Sequence, residues 1–129
     1  MIYNFLAYLK ANKSSYNYAV NGAHNTTPKK ATIINETTAV PAKYIDRVDY
    51  SLQLIGRAEN PVAAKQMLED IYTITDRYWD VTFPANTVNG VVYPAIKIYQ
   101  MTPLQKVTWF GYDDNGLAQY LYNLQIITQ

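Results

Sequence analysis

Bond-making at neutral pH needs a poised acid, base or nucleophile, and few residues in this chain could serve as one. His24 is the single histidine. It stands in the run Asn21-Gly-Ala-His-Asn25 with no carboxylate near it in sequence, which reads as an ordinary solvated side chain. The serines are Ser14, Ser15 and Ser51, and none has the strand–turn–helix setting of a nucleophile elbow. With no Cys there is no thiolate nucleophile, thiolate metal site or disulfide. Asp113 and Asp114, joined by Asp80 or Glu36, could be imagined around a hard cation. The alternating oxygen spacing of a calcium loop is absent, however, and Asp113-Asp-Asn-Gly116 is complete as turn chemistry. The five glycines, at 22, 56, 90, 111 and 116, are scattered singly and form no phosphate loop. Lys29, Lys30 and Arg57 are too sparse for a nucleic-acid footprint. Trp79 and Trp109 could stack on bases or sugars, although burial at a core edge is the commoner fate of such residues. The expectation is a protein without catalytic residues, metal or cofactor, working by binding or assembly rather than as an enzyme.

Composition sets the frame for that work. A chain of 129 residues is one domain's worth, so a single domain over 1–129 is expected. Hydrophobic residues at 49% and charged residues at 16% describe a chain apolar enough to pack. A formal net charge of +1 gives no strong field for nucleic acid or anionic lipid. No run approaches the roughly 18 apolar residues of a membrane span, so no membrane partner is expected. The opening Met1-Ile-Tyr-Asn-Phe-Leu-Ala-Tyr-Leu-Lys10 lacks a basic start, and Asn4 interrupts it, so it reads as an amphipathic helix rather than a signal peptide. The 13 tyrosines fit half-buried strands and protein contacts equally well.

The elements follow from periodicity. Ile2, Phe5, Leu6 and Leu9 predict a helix over 2–11. Strands are expected at 16–20 and 30–36, with loops at 21–28 and 37–42. The clearest strand is 46–57, where Val48, Tyr50, Leu52 and Leu54 share one face and Asp49, Ser51 and Gln53 the other. Asn60 as cap and Pro61 at the first helical position open a helix carried to about 78 by Ala64, Met67, Leu68, Ile71 and Tyr78. A loop over 82–90 and a strand over 91–101 follow, with Pro94 at its start or on an edge. The chain ends in a hairpin, 107–112 and 117–127, turned at Asn115-Gly116. The fold class is therefore α+β, with two helices on one face of an antiparallel or mixed sheet of about five to six strands.

In that order the elements resemble the bacteriophage minor capsid-type and tail terminator (tail completion) families. The similar segments are the helix Met1–Lys10, the strands Tyr16–Val20 and Ala31–Glu36, and Val48-Asp-Tyr-Ser-Leu-Gln-Leu-Ile-Gly-Arg-Ala-Glu-Asn-Pro61, which is similar to a long strand ending in Arg-Gly or Gly-Arg followed by a short acidic-Pro helix entry. They continue with the helix Ala63–Tyr72, ending in Ile-Tyr, and the strand Ile96-Lys-Ile-Tyr-Gln-Met-Thr-Pro103. The last are the hairpin Gly111-Tyr-Asp-Asp-Asn-Gly116 and the pair Tyr122-Asn123. The likeness spans nearly the whole chain and rests on order and spacing. The loop Asn21–Pro28 is longer than the family pattern, and the usual Gly-Gly is missing at Thr37–Val40.

The resemblance implies a structural virion protein, made in the host cytoplasm and built into the tail or neck. Its copies would form a homo-oligomeric ring, six in the family, that caps the tail tube and joins it to the neck. The expected partners are further copies, the tail tube protein and a neck or connector protein, with DNA passing through the ring without sequence-specific binding. A neck or head-completion adaptor is the neighbouring alternative. A small ligand-binding module or small enzyme using Trp79 and the 82–90 loop is the alternative from another class. Contacts are expected on loops 37–44 and 82–92 and on the hairpin tip, hence on Lys43, Tyr44, Asn86, Asn89, Asp113, Asp114 and Asn115. Arg57, at a strand–helix corner, is expected either at the subunit contact or in a surface ion pair with Glu59 or Asp49.

Overall fold

The computed structural model describes residues 1–21, 29–41 and 47–128. Two helices, α1 (Ile2–Asn12) and α2 (Pro61–Thr75), accompany nine strands: β1 (Tyr18–Val20), β2 (Ala31–Pro41), β3 (Val48–Ala58), β4 (Trp79–Phe83), β5 (Asn86–Val88), β6 (Val91–Tyr93), β7 (Ile96–Pro103), β8 (Thr108–Tyr112) and β9 (Ala118–Thr128). Seven strands form a mixed sheet in the order β1-β2-β3-β9-β7-β4, with β8 also on β9, while β5 and β6 form a separate ribbon. Among the described residues of this sheet, only the β1–β2 pairing is parallel. This is the α+β class that periodicity predicts, with slightly more strands.

The sheet's centre is β9. One of its edges pairs with β3 along nearly its whole length, from Asp49↔Ile127 to Ala58↔Ala118. The other edge is shared: β7 takes Leu124 to Thr128 and β8 takes Ala118 to Leu121. Tyr122, Leu124 and Ile126 are fully buried on the face that receives both helices. From α1 come Ile2, Phe5 and Leu9, and from α2 Leu68 and Ile71, all in one apolar cluster with Leu52, Leu54, Phe83, Ile98 and Met101. Truncating such a side chain to Ala costs about 2–5 kcal/mol, so this cluster is where the fold's stability is concentrated.

Helix α2 begins as its residues dictate. Asn60 Oδ1 accepts the Val62 N–H at 2.9 Å, and Pro61 sits where no N–H is needed. It lies very close to β3 at Gly56, where a Cβ would stand 2.7 Å from the Ala64 carbonyl oxygen.

Four boundaries differ from expectation. Strand β2 continues through Thr37–Pro41, because a bulge between Glu36 and Thr38 lets it stay paired with β3, with Thr37 Oγ1 donating to the Ser51 carbonyl at 3.0 Å. Helix α2 stops at Thr75 rather than near 78, since Arg77 adopts a left-handed φ of 56° and turns Tyr78 and Trp79 into β4. The stretch 91–101 is broken at Pro94-Ala95 into β6 and β7. The 82–90 stretch holds the end of β4, all of β5 and a tight turn. The second sheet face is also less polar than alternation implies: Ala31, Ile33, Ile55, Arg57 and Gln119 are buried there, while Asp49, Ser51 and Gln53 are half-buried.

Candidate functional site

The residues with chemical potential are mostly engaged in holding the fold. Asp113 Oδ1 accepts the N–H groups of Asn115 and Leu117, each at 2.9 Å. The Gly116 N–H bonds the Asp113 carbonyl at 3.0 Å, and Gly116 takes φ 77°. Asn115 does not take a positive φ, so the hairpin closes as a longer loop with glycine in the left-handed position, and not as the two-residue Asn-Gly turn expected there. Asp114 and Asn115 are exposed at its tip.

The two-residue turn is elsewhere. Asn89 (φ 51°) and Gly90 (φ 80°) join Val88 to its partner Val91, which makes β5–β6 a hairpin of the kind Asn-Gly favours. That ribbon is pinned by Asn4, a polar residue on the buried face of α1. Its Nδ2 lies 2.9 Å from the Pro94 carbonyl, 3.1 Å from that of Pro84 and 3.3 Å from that of Tyr93. Asn86 returns the contact, donating to the Tyr3 carbonyl at 2.9 Å. Asn86 thus has an internal role, whereas Asn89 is exposed at the turn.

Arg57 is 2% exposed in the middle of the sheet, opposite Ala31 on one side and Gln119 on the other. That burial corrects the expected surface pairing, and Glu59 is paired with Lys29 and Asp49 with Arg47. Lys43, Tyr44 and His24 lie outside the described residues.

The tyrosines divide between both readings. Tyr8 donates to the Ile74 carbonyl at 2.8 Å, Tyr18 to that of Lys13 at 2.8 Å, and Tyr122 shares a hydrogen bond of 2.7 Å with Thr75. Burial pushes the phenols of Tyr18 and Tyr122 well above the ordinary range. Tyr16 donates to the Asp70 carboxylate, and that bond, with burial and the carboxylate's charge, pushes its pKa up to about 12. All these shifts favour the neutral phenol, and Tyr16 and Tyr18 act as hydrogen-bond donors. Others face solvent. On β8, Trp109, Phe110 and Tyr112 are 45%, 50% and 64% exposed, with Trp109 in edge contact with Tyr112 and Tyr120. Near β4, Trp79 packs edge-on to Tyr99 beside the exposed Tyr78, flanked by left-handed Arg77 and Asp80.

The described residues line at least two clefts. One, of about 590 Å³, is lined by Lys65, Glu69, Tyr72, Asp76, Arg77, Lys106 and Val107, with Arg77 bonded to Asp76 at 3.1 Å. The other, of about 320 Å³, is lined by Lys29, Lys30, Ala58, Glu59, Asn60 and Ala63. Neither includes Trp79 or the 82–90 stretch. Among the described residues no three His, Cys, Asp or Glu side chains stand close enough to share a metal ion, and no helix is long and apolar enough to cross a membrane.

Sequence reasoning picks out Trp109 only as a stacking or core-edge residue and Asn4 only as an interruption of the apolar run, and it passes over Phe110 and Tyr112. Asn4 announces itself as the one polar residue within Ile2–Leu9, and Trp109-Phe110-Gly-Tyr112 as an uncharged strand before a turn. No protein-family model matches the chain, and no curated protein matches it significantly.

Proposed function

We propose that this protein is a structural subunit of a bacteriophage virion, whose copies form a ring, six in the resembled family, that caps the tail tube and joins it to the neck. The observation that carries this reading is the surface of β8. Three large aromatic side chains are exposed together on a strand with no charged residue, where a free monomer gains nothing from them and a packed neighbour buries them. Trp and Tyr are the residues that most often anchor such contacts. The order of elements, similar to that of the tail terminator families, supplies the rest of the support. A ring requires a heterologous contact that closes by rotation, and further surfaces for tube and neck. The exposed turns at Asn89-Gly90 and Asp114-Asn115 are offered as those surfaces.

The test is to add the purified chain to polymerising tube protein from the same virus and measure tube length by electron microscopy. The proposal predicts tubes stopped short with a ring at one end. Unaltered tube length and no bound ring would refute it.

A further inference from the structure

Among the described residues the sheet's open edges are the outer sides of β1, β4 and β8 and the Glu36–Pro41 end of β2, and the last two sit at diagonally opposite corners. On one side β1 covers β2 only at Thr32–Ile34, and the outer hydrogen bonds of β2 among the described residues end with the Asn21 N–H on the Ile34 carbonyl at 2.8 Å. Beyond that point Glu36–Pro41 are all exposed. On the other side β7 covers the Leu124–Thr128 half of β9, and β8 forms the outer strand along Ala118–Leu121. Through the registers of β3 and β9, β8 lies level with the part of β2 that β1 covers. The free part of β2 lies level with the part of β9 that β7 covers.

Folded proteins commonly guard an open edge with charge, often lysine. Neither stretch carries a lysine: Glu36, the bulge beside it and Pro41 guard the two ends of the free part of β2, a bulge lies between Trp109 and Gly111 in β8, and Thr37–Val40 and Thr108–Tyr112 hold no charge. The two are complementary in other respects. β2, β3, β9 and β8 alternate in direction, so β8 runs antiparallel to β2. A copy related by rotation about an axis moderately inclined to the strands keeps that polarity, and antiparallel pairing is the more stable kind. One edge bears small and β-branched side chains and the other bulky aromatics, the cross-strand combination that stabilises sheets. Two β8 edges facing each other would crowd aromatics, and two β2 edges would bury little.

We infer that β8 of one copy pairs with the Thr37–Pro41 stretch of β2 in the next, so that the sheet continues from subunit to subunit. This rests on the ring reading above and specifies its interface. The diagonal placement offsets neighbouring copies along the strands by about six residues, roughly 20 Å at the rise of a strand. An offset of that kind tilts strands against the ring axis, as shear does in a barrel.

The test uses two edge-charged variants of the full chain, Thr38→Lys with Val40→Lys and Phe110→Lys with Tyr112→Lys, all at exposed positions. Mass is read by light scattering and fold by circular dichroism. The expected result is that wild type assembles and each variant alone, with a wild-type spectrum, drops to the 14.7 kDa of one chain. Mixing the two restores one-to-one dimers and nothing larger, because only one intact β2 edge and one intact β8 edge remain. If both variants keep the wild-type mass, the interface is elsewhere and the ring reading stands. If only the β8 variant dissociates, the contact is a two-fold one and the inference fails. A wild-type chain that stays single at about 100 µM overturns the ring reading itself, since even a Kd of about 1 µM, about 8 kcal/mol, would assemble it there.

Discussion

Asn4 on α1 reaches the Pro94 carbonyl at 2.9 Å, across 90 positions of sequence, and so fastens the β5–β6 ribbon to the first helix. The Pro84 and Tyr93 carbonyls converge on the same amide. Replacing Asn4 with Ala leaves these acceptors beside a hole, a loss of roughly 1–3 kcal/mol. Asn4→Ala is expected to lower the melting temperature. Amide exchange should accelerate more in 84–95 than in β3 or β9. Equal acceleration throughout would show that Asn4 is not a local pin.

Gly56 and Ala64 set how closely α2 approaches β3. A Cβ at 56 would meet the Ala64 carbonyl oxygen at 2.7 Å and Leu68 Cγ at 2.8 Å. Gly56→Ala must push the helix outward, a strain of about 1–3 kcal/mol by analogy with overpacked cores. Urea unfolding should show the loss; an unchanged midpoint would mean that the helix rides higher than described.

Arg57 is in the interior, so Arg57→Glu is expected to damage folding before it affects any assembly. Reversing a charge at a 2%-exposed position belongs with the substitutions that cost upwards of about 3 kcal/mol. Expression as aggregate, or a large drop in melting temperature, is the expected result. A well-folded variant would return Arg57 to the list of surface residues.

Alkali should unfold the protein through its tyrosines. The phenols of Tyr16, Tyr18 and Tyr122 have folded pKa values raised above the ordinary value of about 10. Their contribution to stability is therefore complete below pH 10 and is lost as pH rises through the folded values, the direction linkage requires. For Tyr16 the loss falls between pH 10 and about 12. Tyr16→Phe should flatten the stability profile in that window while leaving it unchanged near pH 7 apart from a constant offset. Phenolate absorbance and melting temperature followed together would reveal it. Identical slopes in the two proteins would disprove the Tyr16–Asp70 linkage.

These positions also show what the sequence disclosed. Asn60-Pro61 and the alternation of Val48 to Leu54 are strong local signals, and the elements they open were legible. The end of α2 was not, because Tyr78 continues the apolar stripe and nothing in Asp76-Arg77 marks a left-handed residue. Thr37–Val40 lacks alternation, so its pairing through a bulge is a consequence of the neighbouring strand rather than of its own pattern. Both Asn-Gly pairs carry the same tight-turn signal, and Asp113's side-chain bonds, invisible to a pattern, close the second hairpin as a longer loop. The buried role of Arg57 and the diagonal of open edges depend on long-range strand order, which periodicity does not encode.

Native mass spectrometry of the wild-type chain at tens of micromolar is the most direct measurement of whether this protein works by touching its own copies. The account predicts one dominant closed species at a whole multiple of the 14.7 kDa chain, six being the number in the resembled family. A single chain at every concentration, retaining a small molecule through desolvation, would contradict it.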